Sequence, residues 1–450
     1  MNARNAVILT AGGLLLGGCA SFMSTETPRA DARVLANNLA AEPHVHCSRS
    51  GEPGRVAVFS VNSNAISLTL LDESQILSKQ QLLETAGGVS ALKSARAEGG
   101  WYLAWRENGA EAGAAWKFLF VTEEGKAAWP SPVSIGPVFS DRFPLATAVT
   151  AKQELAAAWN DTDPATGALY VTHALIGRDG VLASSRTAGR GNGPGTFYQG
   201  PALAPDNEGG YYLAFRQADR ETDRGIILGR YAASGEPVWP DFFDIPDNGK
   251  YASPPLLVAD GNGGVLAAWE DGRQGSMDIF AQRVSGEGKQ LWAERGVGIA
   301  MGKGNQWAPR AAMNGNGGFY FAWLDDGTGS QWRTVVQNIG PNGEPRWDPA
   351  GISALPSDYK QYDPDIETDG NTLIATWEEA RWGLYQIFAQ AFSKDGKPLL
   401  TQDGYLAAQA QCAQKDTSLS SAKDGAIGLA WKEFCSEKWK TAAVVDNPLK

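Results

Sequence analysis

The chain is poor in the residues from which reactive centres are most often built. It has 3 His and 4 Cys among 450 residues, which leaves little material for a histidine-rich metal centre. Basic residues are outnumbered, 39 Lys and Arg against 50 Asp and Glu, for a net charge of −11. A nucleic-acid backbone is therefore excluded as the main partner, because proteins that bind one carry a basic excess. No GxSxG elbow, Walker loop, CxxC pair or HExxH helix occurs, and the GxG strings fall in hairpins instead of before helices. The apolar run from Ala6 to Leu16 is about half of the roughly 20 residues that a membrane-spanning helix needs. No cofactor is expected. What the chain does have is 53 Gly, 16 Trp and 43% hydrophobic residues, a composition that suits many short strands, tight turns and a sizeable core.

The N-terminus reads MNARNAVILTAGGLLLGG, with Arg4 as a basic start, and then Cys19. The segment has the layout of a secretory signal, and Leu16-Gly17-Gly18-Cys19 resembles the lipobox of bacterial lipoproteins. That resemblance implies a signal peptide over 1–18, cleavage before Cys19 and acylation of its thiol. Ala20 in place of Asp implies sorting to the outer membrane in such lipoproteins. Each buried acyl methylene contributes roughly 0.8 kcal/mol, so a multiply acylated Cys19 would be a durable anchor. Residues 19–31 then form the lipidated tether and residues 32–450 a single domain, held to the membrane through the lipid alone.

A repeat organises that domain. GGWYLAWRE, QELAAAWND, GGYYLAFRQ, GGVLAAWED, GGFYFAWLD, NTLIATWEE and GAIGLAWKE carry aromatic anchors at Trp105, Trp159, Phe215, Trp269, Trp323, Trp377 and Trp431. These anchors are 54 residues apart, 56 once, and a degenerate eighth copy places Phe59 upstream. In the clearest unit Pro254–Asp260 reads as a strand, Gly261 to Gly264 as a tight hairpin, VLAAWED and MDIFAQRVS as the next two strands, and KQLW, ending at Trp292, as the fourth. Four short strands in such a period indicate an all-β fold, an eight-bladed β-propeller of four-stranded blades, with seven blades as the rival count. The last unit lacks a fourth strand, and residues 32–39 are placed to supply it, with His44–Ser50 as the inner strand of the first blade.

The recurring residues divide between architecture and recognition. The anchor rings fill the gaps between blades. The acid two residues beyond, at Glu107, Asp161, Asp271, Asp325, Glu379 and Glu433, reads as a turn cap, with a ring of cation-binding carboxylates as the alternative. Inner strands open on an aromatic followed by proline: Phe143-Pro144, Tyr198 to Pro201, Tyr251 to Pro254, Trp307 to Pro309 and Tyr362 to Pro364. Phe143, Tyr198, Tyr251, Trp307 and Tyr362, interleaved with Arg310 and Asp363, are the candidate binding face at the channel mouth, unless they pack on neighbouring blades. With Cys19 acylated, at most one internal disulfide forms. Cys412 and Cys435 flank two strands of the last unit at one end and are the expected pair, which leaves Cys47 as a buried thiol. His44 and His46 share a strand face but lack a third ligand, so no metal is expected.

In architecture such a lipid-anchored propeller resembles the propeller lipoprotein of the β-barrel assembly machinery, and VSGEGKQLW is similar to the endings of quinone-type propeller repeats. The WEDGRQGSMDIFAQRV pattern looks more like an uncharacterised class of bacterial secreted propeller repeats. These resemblances imply a non-enzymatic interaction scaffold in the outer membrane, facing the periplasm or the cell surface and binding other envelope proteins. A surface glycan or polymer binder, or a polysaccharide hydrolase or lyase, are the alternatives.

Overall fold

A computed structural model describes residues 32–449, apart from 40–42, 53, 74, 110–112, 141–142, 189–196, 219–224, 246–251, 328–331, 382, 408–411, 422–425 and 448. Eight four-stranded antiparallel sheets form an eight-bladed β-propeller, and no helix occurs among the described residues. The inner strands of blades 1 to 8 are His44–Arg49, Val89–Ala97, Ala146–Val149, Phe197–Pro205, Leu256–Ala259, Gln306–Met313, Gln361–Thr368 and Ala413–Ser421. Blade 8 continues through Ile427–Cys435 and Lys438–Asp446, and its outermost strand is Arg33–Leu39, paired antiparallel with Arg33 opposite Ala443. The two ends of the described chain thus meet in one sheet, and the ring closes with a complete four-stranded last blade.

Local sequence explains the first hairpin of each blade. Asp260 Oδ1 accepts the N–H groups of Asn262 and Gly264, both at 2.8 Å, while Oδ2 accepts from Arg283 Nε at 3.0 Å. Asp206 does the same for Glu208, Gly210 and Arg230 in blade 4. In blade 6 Asn314 holds the N–H groups of Asn316 and Gly318 and donates to Asn338, an amide substitute for the ion pair. Both arginines and both aspartates are buried, so each pair holds its turn only because every partner is present.

The anchors pack as the repeat predicts. Trp105, Trp269, Trp323, Trp377 and Trp431 are fully buried. Each from blade 3 onward faces back onto the preceding blade, as when Trp269 joins Tyr212 and Ile226 of blade 4. Blade 1 departs from this. Phe59 packs forward onto blade 2, edge-on to Trp101 at 5.7 Å, while Val56 and Val58 face back onto blade 8. Phe59 is therefore not an eighth anchor, since a shift of one residue along a strand turns a side chain to the opposite face. Cys47 is a buried free thiol on that back face.

KQLW is not the fourth strand. In blade 5 that strand is Val297–Ala300, beyond Trp292 and a further turn. Trp292 and its counterparts Trp129, Trp239 and Trp347 instead donate their indole N–H to the next blade, to Pro341, Arg178, Gly286 and Lys394 carbonyls at 2.8–2.9 Å. The receiving turn carries a glycine over the ring: Gly180 has φ 79°, and a Cβ there would lie 2.8 Å from Trp129. Tryptophan and glycine are thus coupled across each of these blade boundaries, which accounts for much of the surplus of both.

Candidate interface at the strand-entry face

The end of the ring where inner strands begin is built from a bulge. Pairing shifts register between Gln199 and Ala202, Trp307 and Arg310, Tyr362 and Asp365, and Lys415 and Ser418. In each bulge one residue has positive φ: Gly200 (49°), Ala308 (52°), Asp363 (45°) and Asp416 (50°). The preceding blade caps three of them from the residue after its anchor. Asn160 Oδ1 accepts the Gly200 N–H at 3.0 Å, Glu270 accepts that of Ala308 at 2.7 Å, and Glu378 accepts that of Asp416. Proline after the bulge costs nothing here, because the ladder is already interrupted.

These caps differ in charge. Asn160 is neutral and also donates to the Tyr198 carbonyl at 2.7 Å. Burial raises the carboxyl of Glu270, opposed by the Ala308 N–H and by Arg310. Burial, aided by Asp363 and Asp416, pushes the Glu378 carboxyl up to about 8. Two protonatable acids therefore sit beneath the entry loops.

The acids two residues past the anchor have a role outside both sequence-based readings. Asp271 and Glu433 accept the indole N–H of their own anchors, Trp269 and Trp431, at 2.9 Å, and Glu379 accepts that of Trp377 at 3.2 Å. Buried Gln361 and Gln414 at the strand entries donate to Glu379 and Glu433 and accept the N–H of Thr334 and Ile387 from the blade before. Turn capping is also present, as when Asp271 takes the Arg273 N–H and Asp325 the Gly327 N–H. Cys412 and Cys435 are joined by a disulfide, with Cα atoms 5.2 Å apart, beside Glu433. Their grouping within 4.8 Å has the spacing of a metal site, but oxidised sulfurs offer no thiolate.

The expected binding residues separate into three kinds. Tyr198 is buried, edge-on to Phe215 at 5.6 Å, and belongs to the core. Its placement on the face is thereby corrected: the ring turns inward because the carbonyl is held by Asn160. Phe143 is half-buried, and it and Pro254 both approach Gly200, which brings the entries of blades 3 to 5 together. Tyr251 lies outside the described residues, as do Asp141 and Arg142. Trp307 and Tyr362 are half-buried, and Asp363 and Arg310 are exposed. Tyr362 stands between two rings that sequence reasoning missed, Trp332 at 5.6 Å and Tyr385 at 5.5 Å, and Lys415 lies 5.7 Å over Tyr385. This row crosses blades 6, 7 and 8. A signal for it exists: Met277, Trp332 and Tyr385 each precede a third strand, and each carbonyl accepts the N–H of the next blade's entry glutamine, Gln306, Gln361 or Gln414.

The other mouth of the channel is different. A cavity of about 670 Å³ opens among the hairpins there, bordered by Arg49, Arg96, Gln153, Asn207, Thr368 and Thr372. None of the expected binding residues borders it.

Fold and face together define a β-propeller. No protein-family model matches the chain. No curated protein matches it either. Among solved structures it is similar to the Dos1 propeller at 12% identity, over 93% of this chain and 95% of that one, with a TM-score of 0.49. It is also similar to an ulvan lyase of a new polysaccharide-lyase family at 14% identity, over 77% and 90%, with a TM-score of 0.48. A prolyl endopeptidase is similar at 12% identity over 88% of this chain, TM-score 0.49, and the chain spans 54% of that protein's length. Such likeness concerns the fold alone.

Proposed function

We propose that this protein is an envelope lipoprotein, anchored in the outer membrane through acylated Cys19, whose propeller acts as a non-enzymatic scaffold that docks another envelope protein on its strand-entry face. The row Trp332–Tyr362–Tyr385 with Lys415 carries this reading. Trp and Tyr rings are among the side chains over-represented at the energetic centres of protein interfaces. The rings of the row pack tilted and edge-on, at 49° and 73°, and do not form one flat stacking platform. That leaves edges and rims for contact, which suits a protein surface better than a stacked sugar.

The test is crosslinking in intact membranes followed by pull-down of the full chain. A stoichiometric envelope protein should be recovered and should be lost in Trp332→Ala/Tyr362→Ala, with the fold unchanged by circular dichroism. Recovery unaffected by the double substitution would overturn the assignment of the face. Failure of Cys19→Ser to release the protein from membranes would overturn the anchor. A second reading, binding of a surface glycan, is favoured by the amide and hydroxyl border of the 670 Å³ mouth. A glycan array that responds to Trp307→Ala/Tyr362→Ala would move recognition of the polymer to the entry face instead.

A further inference from the structure

The level of the channel just inside the entry bulges has a composition of its own, fixed by strand register. In blades 2 to 8 the inner-strand residue paired with the one before the anchor occupies an equivalent level. These are Lys93 opposite Ala104, Arg310 opposite Ala322, and Asp365 opposite Thr376. Blades 3 to 5 place Ala146, Ala202 and Leu256 at that level, and blade 8 places Ser418 there. With the one-residue offset of blade 1, His46, opposite Phe59, belongs to the same level. One side of the level is therefore small and apolar, and the charged side chains come from blades 2, 6 and 7.

Blades 2 and 6 are four apart in a ring of eight, so Lys93 and Arg310 approach from opposite walls, and burial, then the Arg310 charge, lowers the pKa of the Lys93 ammonium. Among the described residues Asp365 is the one carboxylate in ion-pair contact with either cation, while Glu270, whose carboxyl burial raises, feels the Arg310 charge without such a contact. Asp365 meets Arg310 Nε at a loose 3.7 Å and also accepts the Ile366 N–H at 3.0 Å. Lys93 has no hydrogen-bond or ion-pair partner among the described residues. His46 is not an acceptor for it: its Nδ1 is engaged with Ser94 Oγ at 2.8 Å, and burial, with Lys93 next, lowers its pKa to about 4 and keeps it neutral. Two like charges drawn together over a partly desolvated channel, with one loosely held counter-charge, repel unless an anion joins them.

We propose that this level of the channel, between Lys93 and Arg310, binds an oxyanion, a carboxylate or sulfate group. The charge is local and runs against the acidic character of the whole chain. Ala146 and Ala202 leave room beside the cations, and the 670 Å³ mouth, lined in part by Arg49 and Arg96, opens on the same channel. A planar or tetrahedral oxyanion accepts several N–H bonds from Arg310 while Lys93 serves as a point charge. The group can belong to a free inorganic ion or to an acidic sugar unit. The inference is independent of what docks on the entry face.

Calorimetric titration of the mature chain tests it with three probes: inorganic sulfate, a glucuronate oligomer and an uncharged glucose oligomer. Sulfate and the glucuronate oligomer should bind and the glucose oligomer should not. Lys93→Met should weaken the anions at least tenfold, and Arg310→Met likewise. Asp365→Asn, which removes the competing carboxylate, should tighten them several-fold, a gain that misfolding cannot produce. A glucuronate oligomer tenfold tighter than sulfate assigns the group to a polymer, and equal affinities assign it to a free ion. Absence of binding by both anions, or affinities unchanged by Lys93→Met and Asp365→Asn, would overturn the proposal.

Discussion

The two ends of the same blades differ in how completely they match their buried charges. At the hairpin end every buried charge in blades 4 and 5 has a geometric partner, Asp206 with Arg230 and Asp260 with Arg283, and the turns are tied by the same carboxylates. At the entry end Asp271 and Glu379 are likewise paired, with Arg273 and Arg381, but Glu270 and Glu378 are held by single backbone N–H groups, the Arg310–Asp365 pair is long and half-exposed, and three aromatic rings line up in partial contact with solvent. Closed networks stabilise; incompletely matched ones are where proteins keep recognition. The difference is the reason the proposed docking is assigned to the entry end and not to the mouth with the 670 Å³ cavity.

Substitutions can break this contrast. The largest effect should come from the anchors, which belong to neither end. Trp269→Ala should cost about 3–5 kcal/mol in chemical denaturation, since it empties a blade gap and strips Asp271 of its indole partner. Trp307→Ala at the entry face should cost below about 1 kcal/mol. A comparable loss from both would mean that the entry aromatics are core after all.

Next, Arg283→Met should leave Asp260 buried without its cation and cost about 3 kcal/mol or more. The corresponding Arg310→Met should fall within about 1 kcal/mol, as expected for an exposed pair. Equal costs would erase the distinction between the two ends.

The smallest effect is pH-dependent. The folded carboxyl of Glu378 titrates near 8, above its unfolded value of 4.5, so the native state holds the proton more tightly. Stability should therefore decline as pH rises from about 4.5 through 8. Glu378→Gln keeps an acceptor for the Asp416 N–H, as Asn160 does for Gly200, and should remove part of that decline. Melting temperatures of the variant and the parent should converge near pH 4.5 and differ most above pH 8. A parallel offset at all pH values would show that the carboxyl is not the titrating group.

Much of this was legible in the residues. A period of 54 with an aromatic in a fixed place reports blade count, because each blade must fill the same gap. The missing last strand reported closure for a related reason, since pairing the first strand with the last blade completes that blade and ties the ring. Phe59 misled because aromatic identity says nothing about face when a strand slips by one. Trp292 marked the approach to the fourth strand, and its indole bond to the next blade, not its place in a ladder, is why it recurs. Trp332 and Tyr385 were missed because the position before the third strand repeats in backbone bonding, not in side chain. The level holding Lys93 and Arg310 was invisible for a further reason: it joins residues 217 positions apart that only ring geometry brings face to face.

Closure has a consequence for the timing of folding. The strand Arg33–Leu39 has its partner only in Lys438–Asp446, so the first strand made waits for nearly the last. At roughly 5–20 residues per second the interval is on the order of 20–80 s of synthesis. Throughout it the nascent chain carries an unpaired strand near its start and an unfinished row of blades behind it. Folding of this ring therefore has a built-in orphan, and whatever guards that strand until its partner arrives governs how much protein matures.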